Sequence, residues 1–226
     1  MPADSKEKIL RRIREALSVE APKRHLGQGG DRASSRPPQE WLPRIPHDLA
    51  ALFEKNSQDL KTDVRHCRDA AATAAELSRI ARENAWKSVA SHLFPLGTPA
   101  VAALGLPVLL TDQAYSKHDL ERCDAGISGC DCLVAQTGGI LVTSASAGGR
   151  ALSVLPPHHV VIASRSQLVG DLSDAFDLLR KSHPSIPPFV SFITGPSRTG
   201  DIERILVLGA HGPKKLTVLL VDEEPG

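Results

Sequence analysis

The stretch Asp124–Ser164, DAGISGCDCLVAQTGGILVTSASAGGRALSVLPPHHVVIAS, constrains the fold of this chain more than any other. It holds three short apolar runs, Cys132–Ala135, Ile140–Thr143 and Val160–Ala163, each closed off by glycine, proline or polar turn residues. Runs of that length, rich in β-branched residues and flanked by breakers, form buried strands rather than helices. Between them lie three candidate site loops, Gln136–Gly139, Ser144–Arg150 and Pro156–His159. Glycine in such loops lets backbone N–H groups come close to a ligand, which is how α/β proteins bind anions and small molecules at strand ends.

The flanking sequence supplies alternating elements. Apolar spacing predicts helices over 47–60, 69–84, 99–104 and 167–181, with Asp69 as an N-cap. Strands are expected at 62–67, 88–92, 107–111, 189–194, 205–209 and 216–221. Helices alternating with strands point to the α/β class, with an open, mostly parallel sheet flanked by helices. Ahead of this domain, assigned to 47–226, residues 1–18 read as an amphipathic helix with Ser5 as its cap. Residues 19–46 read as a Gly/Pro-rich linker or arm in which Trp41 is an anchor.

Charge and composition narrow the partners. With 27 basic against 26 acidic residues and 4% aromatics, there is neither a field for polyanions nor a stacking platform for single-stranded nucleic acid. No apolar run nears the roughly 20 residues of a spanning helix, and the start MPADSKEK lacks an apolar signal core. The expectation is a cytoplasmic protein with no transmembrane segment and no nucleic-acid partner. Four cysteines are too few for a disulfide scaffold, and the C-x6-C-x-C spacing of Cys123, Cys130 and Cys132 matches neither structural zinc nor iron–sulfur runs. They read as buried small hydrophobes, with no metal site. P-loop, H-E-x-x-H and G-x-S-x-G signatures are absent.

A fourth loop, Gly195–Glu203 (GPSRTGDIE), joins hydroxyl and amide donors to a guanidinium. Ser197, Arg198 and Thr199, with Arg150 as a second cation, have the composition to hold carboxylate or phosphate; equally, both arginines could be solvated or tie loops to carboxylates. His158, His159 and His211 are the candidate proton-transfer groups, His211 serving foremost to fix its loop. Asp201 and Glu203 could act as acid or base, and Asp201 could equally pin its own turn.

At these residues the chain resembles a known family. GISGCDCLVAQTGGILV, GRALSVLPPHHVVIA, FITGPSRTGDIE and LGAHGP together are similar to the lactate-utilisation (LUD) domain family, most closely its protein C branch, from about His47 to Asp222. The resemblance implies a fold like glucosamine-phosphate isomerase, ribose-phosphate isomerase and CoA transferases (NagB/RpiA/CoA-transferase-like). It implies a role in oxidising L-lactate to pyruvate beside iron–sulfur partner proteins, with no cofactor or redox centre in this chain. Carried over by position, ligand-binding residues fall on Thr137, Gly138, Gly139, Gly149, Arg150, Ser197, Arg198 and Thr199. The family's loops also cover Pro156, Pro157, His158, Asp201 and His211, of which Pro157 and His211 read as loop-fixing; the catalytic candidates from the residues themselves are His158, Asp201 and Glu203. Gln136 stands where the family pattern has an acid, which removes a carboxylate from that turn. Two further readings follow from the fold resemblance and the arm: a stand-alone isomerase or acyl-transferase, and a scaffold for iron–sulfur subunits.

Overall fold

In a computed structural model of the protein, residues 8–9, 11–12, 14–15, 45–183, 185–199, 207–208 and 212–222 are described. The chain divides into two units, Met1–Arg44 and Ile45–Gly226. In the first, the described residues are helical and Arg11 pairs with Glu15 one turn on. Ser5, Trp41 and the arm up to residue 44 lie outside the described residues, as do Asp201, Glu203 and His211.

The second unit runs α1 (Leu49–Asp59), β1 (Asp63–Cys67), α2 (Ala70–Glu83), β2 (Val89–Ser91), α3 (Thr98–Ala102), β3 (Val108–Leu110), α4 (Lys117–Glu121) and β4 (Ala125–Ser128). It continues β5 (Cys132–Val134), β6 (Gly139–Thr143), β7 (His158–Ser164), β8 (Leu168–Val169), α5 (Leu172–Ser182), β9 (Val190–Ile193), β10 (Arg198–Thr199), β11 (Val207–Leu208) and β12 (Lys215–Val221). Six strands form a wholly parallel sheet in the order β1-β12-β7-β4-β2-β3. Four others form a second sheet, β8-β5-β6-β9, in which β6 is antiparallel to both neighbours.

This second sheet explains why the central runs are apolar throughout. Alternate residues point to opposite faces of a strand. Leu133, Ile140 and Val142 face the parallel sheet, packing with Val161, Ala163, Val218 and Leu220 and with Phe53 of α1. Cys132, Val134 and Leu141 face the other way, onto Ala175 and Leu179 of α5. On the far side of the parallel sheet, Val160, Ile162, Leu219 and Val221 meet Leu77 and Ile80 of α2 and Val101 of α3. The layers are therefore helix, sheet, sheet, helix, and each inner strand is covered twice.

Three details depart from the sequence expectation. Two of the three central runs, β5 and β6, belong to the second sheet, because burial of a short run does not say which sheet buries it. His158 and His159 are strand residues of β7, their ladder partners on β12 being Lys215 and Leu216. Strand β4, Ala125–Gly-Ile-Ser128, and helix α4 come from stretches that carry no apolar periodicity.

The helix ends are closed locally. Asp48, Asp69 and Asp171 cap α1, α2 and α5 by accepting from amides three residues on. At its C-terminus α2 makes both bonds of a Schellman turn, Trp86 N to Ala81 O (3.0 Å) and Ala85 N to Arg82 O (3.1 Å). Ala85 sits at φ 50°, where a Cβ is crowded against its own carbonyl. Ala85→Gly is therefore expected to stabilise the fold by about 0.5–1 kcal/mol, raising the thermal midpoint by roughly 2–4 °C. A thermal melt showing an unchanged or lower midpoint would refute the strain.

Candidate functional site

Parallel sheets bind ligands where successive crossovers leave in opposite directions. After β2 the chain moves outward to β3, and after β4 it moves the other way to β7. The crevice between the C-terminal ends of β2 and β4 is that switch point, and a cavity of about 430 Å³ opens there. That volume lies within the range of small-molecule sites. Its walls come from the loop after β2 (His92, Phe94, Leu96), from Gly129 after β4, from Ser146 after β6, and from Ile162, Ser164 and Gln167 at the end of β7.

Each wall is fixed by the backbone. His92 is buried and stacks on Phe94, ring centres 4.6 Å apart, while its Nε2 accepts from Gly129 N at 3.5 Å. Gly129 lies close under this stack, since a Cβ there would sit 3.3 Å from the Phe94 ring. Gly148, at φ +60°, brings the β6 loop within 2.7 Å of His92 measured from where its Cβ would be. Ser164 and Gln167 form a reciprocal cap on the turn Arg165–Gln167, and Gln167 Nε2 also donates to Cys130 O at 2.6 Å, tying β7 to the connection after β4. Ser146 Oγ donates to Asp131 Oδ2 at 2.5 Å and accepts from Thr143 N at 2.9 Å.

This cleft is uncharged. Among the described residues lining it there is no lysine or arginine, and burial holds the His92 imidazole below its ordinary pKa. Placing a full anion against such walls costs several kcal/mol without a partner. The stacked His92–Phe94 pair, Leu96 and Ile162 suit a planar, partly apolar group, with the Ser146 hydroxyl as a polar contact.

The opposite, N-terminal ends of the parallel strands are different. The turn Gln136–Gly139 is clamped to the end of α1: Asn56 Nδ2 donates to Ala135 O and Gln136 O (2.8 and 2.9 Å), and Ser57 Oγ donates to Gly138 O (3.2 Å). Thr137 Oγ1 accepts from Gly139 N at 3.2 Å. Next to it, across the β6–β9 ladder, Gly195 leans on Leu60 O at φ +100° and leads to Ser197 and Arg198. Here a larger cavity, about 720 Å³, is lined by Lys61, Asp63, Arg65, Glu83, His158, Arg198, Lys214 and Lys215 among others.

His158 lines that cavity yet is only 5% exposed. Its Nε2 pairs with Thr217 Oγ1 at 2.9 Å, its ring meets Trp86 edge-on at 5.2 Å, and its Nδ1 has no partner. Burial, aided by the nearby Lys215 charge, pulls its pKa down to about 4. His159 points to the other face, pairs through Nε2 with Ser128 Oγ at 2.9 Å, and is pulled by burial down to about 3. Both are neutral at neutral pH, and a group titrating that low is a weak general base there. Pro157 O accepts from Lys214 N and Lys215 N, holding the turn into β12.

The four loops read from sequence thus divide between two ends of the sheet. Arg198 and His158 line the N-terminal cavity, whereas Gly138 packs on the end of α1 and Gly139 against Ile193 and Thr194, outside its lining; Gly149, followed by Arg150, stands at the C-terminal ends near Tyr115. Residues 158–164 of β7 separate the two ends by about 20 Å at ~3.3 Å per residue. Of Thr199 only the backbone, in β10, is described. Sequence reasoning placed Ser146 within a candidate site loop without singling it out, and missed His92, Phe94 and Gln167. The strand-end rule applied to the strand expected at 88–92 would have reached the first two; Gln167 needed the chain's return path.

All four cysteines are buried and unpaired, and burial raises Cys132 to about 12, so these thiols stay protonated. Among the described residues no group of three or more His, Cys, Asp or Glu is arranged to hold a metal ion, and no helix is long and apolar enough to cross a membrane.

Comparison with known proteins matches residues 50–221 to the LUD domain. Lactate utilization protein C of Deinococcus radiodurans is 31% identical over 198 residues, covering 84% of this chain and 89% of that protein. The protein of the same name from Oceanobacillus iheyensis is 26% identical over 98% of this chain and all of its own length. For the one from Shouchella clausii, at 33% identity, the chain spans 62% of the relative's length. A crystal structure of a DUF162 family protein from Deinococcus radiodurans superposes with a TM-score of 0.61 at 24% identity, over 79% of this chain and 99% of that one. That likeness is one of fold.

Proposed function

The chain belongs to the LUD-domain family, and from that premise we propose that it serves lactate utilisation as a cytoplasmic component without a redox centre of its own. In this reading it works beside partner proteins that carry the iron–sulfur clusters for oxidising L-lactate. Its own part is to bind a small nucleotide-like ligand at the switch point, the planar part against His92 and Phe94. The metabolic half is supported by the lactate-utilisation names of its relatives. The binding half is supported by one observation, the formed, uncharged cavity between the ends of β2 and β4. Any anionic part of such a ligand would extend out of the cleft mouth, where solvent offsets its charge.

A host strain lacking the protein is expected to grow normally on glucose and to fail on L-lactate as sole carbon source. Wild-type protein should restore growth, and the cleft variant Phe94→Ala with Ser146→Ala should not, while accumulating to the same level. Unimpaired growth of the deletion strain removes the metabolic role; full rescue by the cleft variant removes the cleft from it.

A further inference from the structure

We propose that the cavity at the N-terminal ends of β1, β7 and β12 is a second, separate binding site, for the phosphate group of a small phosphorylated molecule. Among the described residues, five cations line it, Lys61, Arg65, Arg198, Lys214 and Lys215, against two carboxylates, Asp63 and Glu83. The C-terminal ends of α1 and α2 also reach it through Lys61 and through Glu83 and Asn84. Cations belong at helix C-termini, so this explanation has to be subtracted first. Each helix end presents about −0.5 charge, roughly −1 for the two, which leaves an excess of about two positive charges. A doubly charged anion matches that excess among the described residues better than a monocarboxylate does.

Not all five cations are equivalent. Arg65 is engaged by Asp63 and Glu76, both at 2.7 Å, and Lys215 Nζ donates to Asn84 Oδ1 at 2.6 Å. Lys61, Arg198 and Lys214 have no carboxylate partner among the described residues. The turn at Gly195 rests on Leu60 O and the Arg198 guanidinium folds back to 3.4 Å from the position a Cβ there would take, so Arg198 lines the same cavity as Lys61. His158, nineteen-twentieths buried, closes the inner wall of the cavity as a neutral, uncharged surface, so the cations stand at its polar side. Lysine-dominated cation sets suit a compact, highly charged group. At about 720 Å³ the cavity has room for more than a bare phosphate, so the anion is one end of a larger molecule.

The test uses the full chain, with inorganic phosphate as the probe and acetate at matched ionic strength as the reference, followed by thermal shift and calorimetry at neutral pH. Phosphate is expected to stabilise the wild type saturably and acetate not to. Arg198→Ala and, independently, Lys61→Gly should each weaken the phosphate affinity about tenfold, the loss of one charge-assisted contact. Lys61 occupies φ 68°, a conformation glycine adopts without strain, so the substitution removes the charge while keeping the turn. Lys117→Ala, an exposed cation on α4 outside the cavity, should leave affinity unchanged. The site is overturned if wild type shows no saturable phosphate effect, if acetate reproduces it, or if both Arg198→Ala and Lys61→Gly bind phosphate as wild type does. Failure here leaves the switch-point cleft untouched, and failure of the Phe94 and Ser146 test leaves this site untouched.

Discussion

Gly138→Ala is expected to destabilise the Ile45–Gly226 unit by about 3 kcal/mol, with a range of roughly 2–5, and to be among the most damaging single-methyl additions in the chain. The position requires φ +63°, which costs a residue with a Cβ about 1–2 kcal/mol. Beyond that, the new Cβ would lie 2.6 Å from Ser57 N and 2.7 Å from Asn56 C, both backbone atoms of a helix that cannot step aside. Moving the turn to relieve the clash breaks the bonds from Asn56 and Ser57, each contributing about 1 kcal/mol. Gly105→Ala is the control, because Gly105 has φ +64° with open space around it. Urea unfolding of the two variants separates the effects: Gly105→Ala reports the conformational cost alone, and Gly138→Ala should exceed it by at least about 1 kcal/mol. Equal midpoint shifts would show that the turn is not locked onto α1.

Acidification is expected to unfold the protein in a window set by its two adjacent buried histidines. Unfolded, each takes a proton near its ordinary 6.5; folded, His158 resists until about 4 and His159 until about 3. In that interval the unfolded state binds more protons, so stability rises with pH. It is fully present above about pH 6.5 and is lost as pH falls toward the two folded values. The slope is roughly 1.4 kcal/mol per pH unit for each histidine, or about 2 kcal/mol apiece between pH ~6.5 and ~5. The Glu76 carboxylate, held down to about 2 by Arg79 and Arg65, adds to the loss only at lower pH. His159→Gln should be less stable at neutral pH yet show a shallower fall, by about 2 kcal/mol over the same interval. A pH slope in His159→Gln as steep as wild type would mean that His159 is not the source.

Much of the fold could be read from the residues. Val160–Ala163, Ile140–Thr143 and Cys132–Ala135 are buried strands as expected, Asp69 caps α2 as expected, and the main sheet is parallel with helices beside it. Short apolar runs and a capping aspartate are local signals, decided by neighbours in sequence, which is why they survive without coordinates. The edges of legibility are equally physical. Ala125–Ser128 holds a glycine and a serine and carries no strand pattern, but between β2 and β7 the missing side chain of Gly126 lets Leu152 and Pro156 close over it.

The candidate site was legible as a set of loops and not as a place. Arg150 and Arg198 have the same chemistry in sequence, and the parallel sheet sends them to opposite ends. His158 and His159 look like an exposed proton-transfer pair after two prolines, and burial on both faces of β7 makes them neutral instead. Composition, run length and turn chemistry by themselves determined that this chain would be an α/β domain with glycine-rich strand-end loops. Which loops share a cavity, which residues are charged there, and that His92 and Phe94 form its wall were decided only by the tertiary structure. Crossover direction and depth of burial depend on contacts between residues far apart in the chain, and no local pattern encodes them.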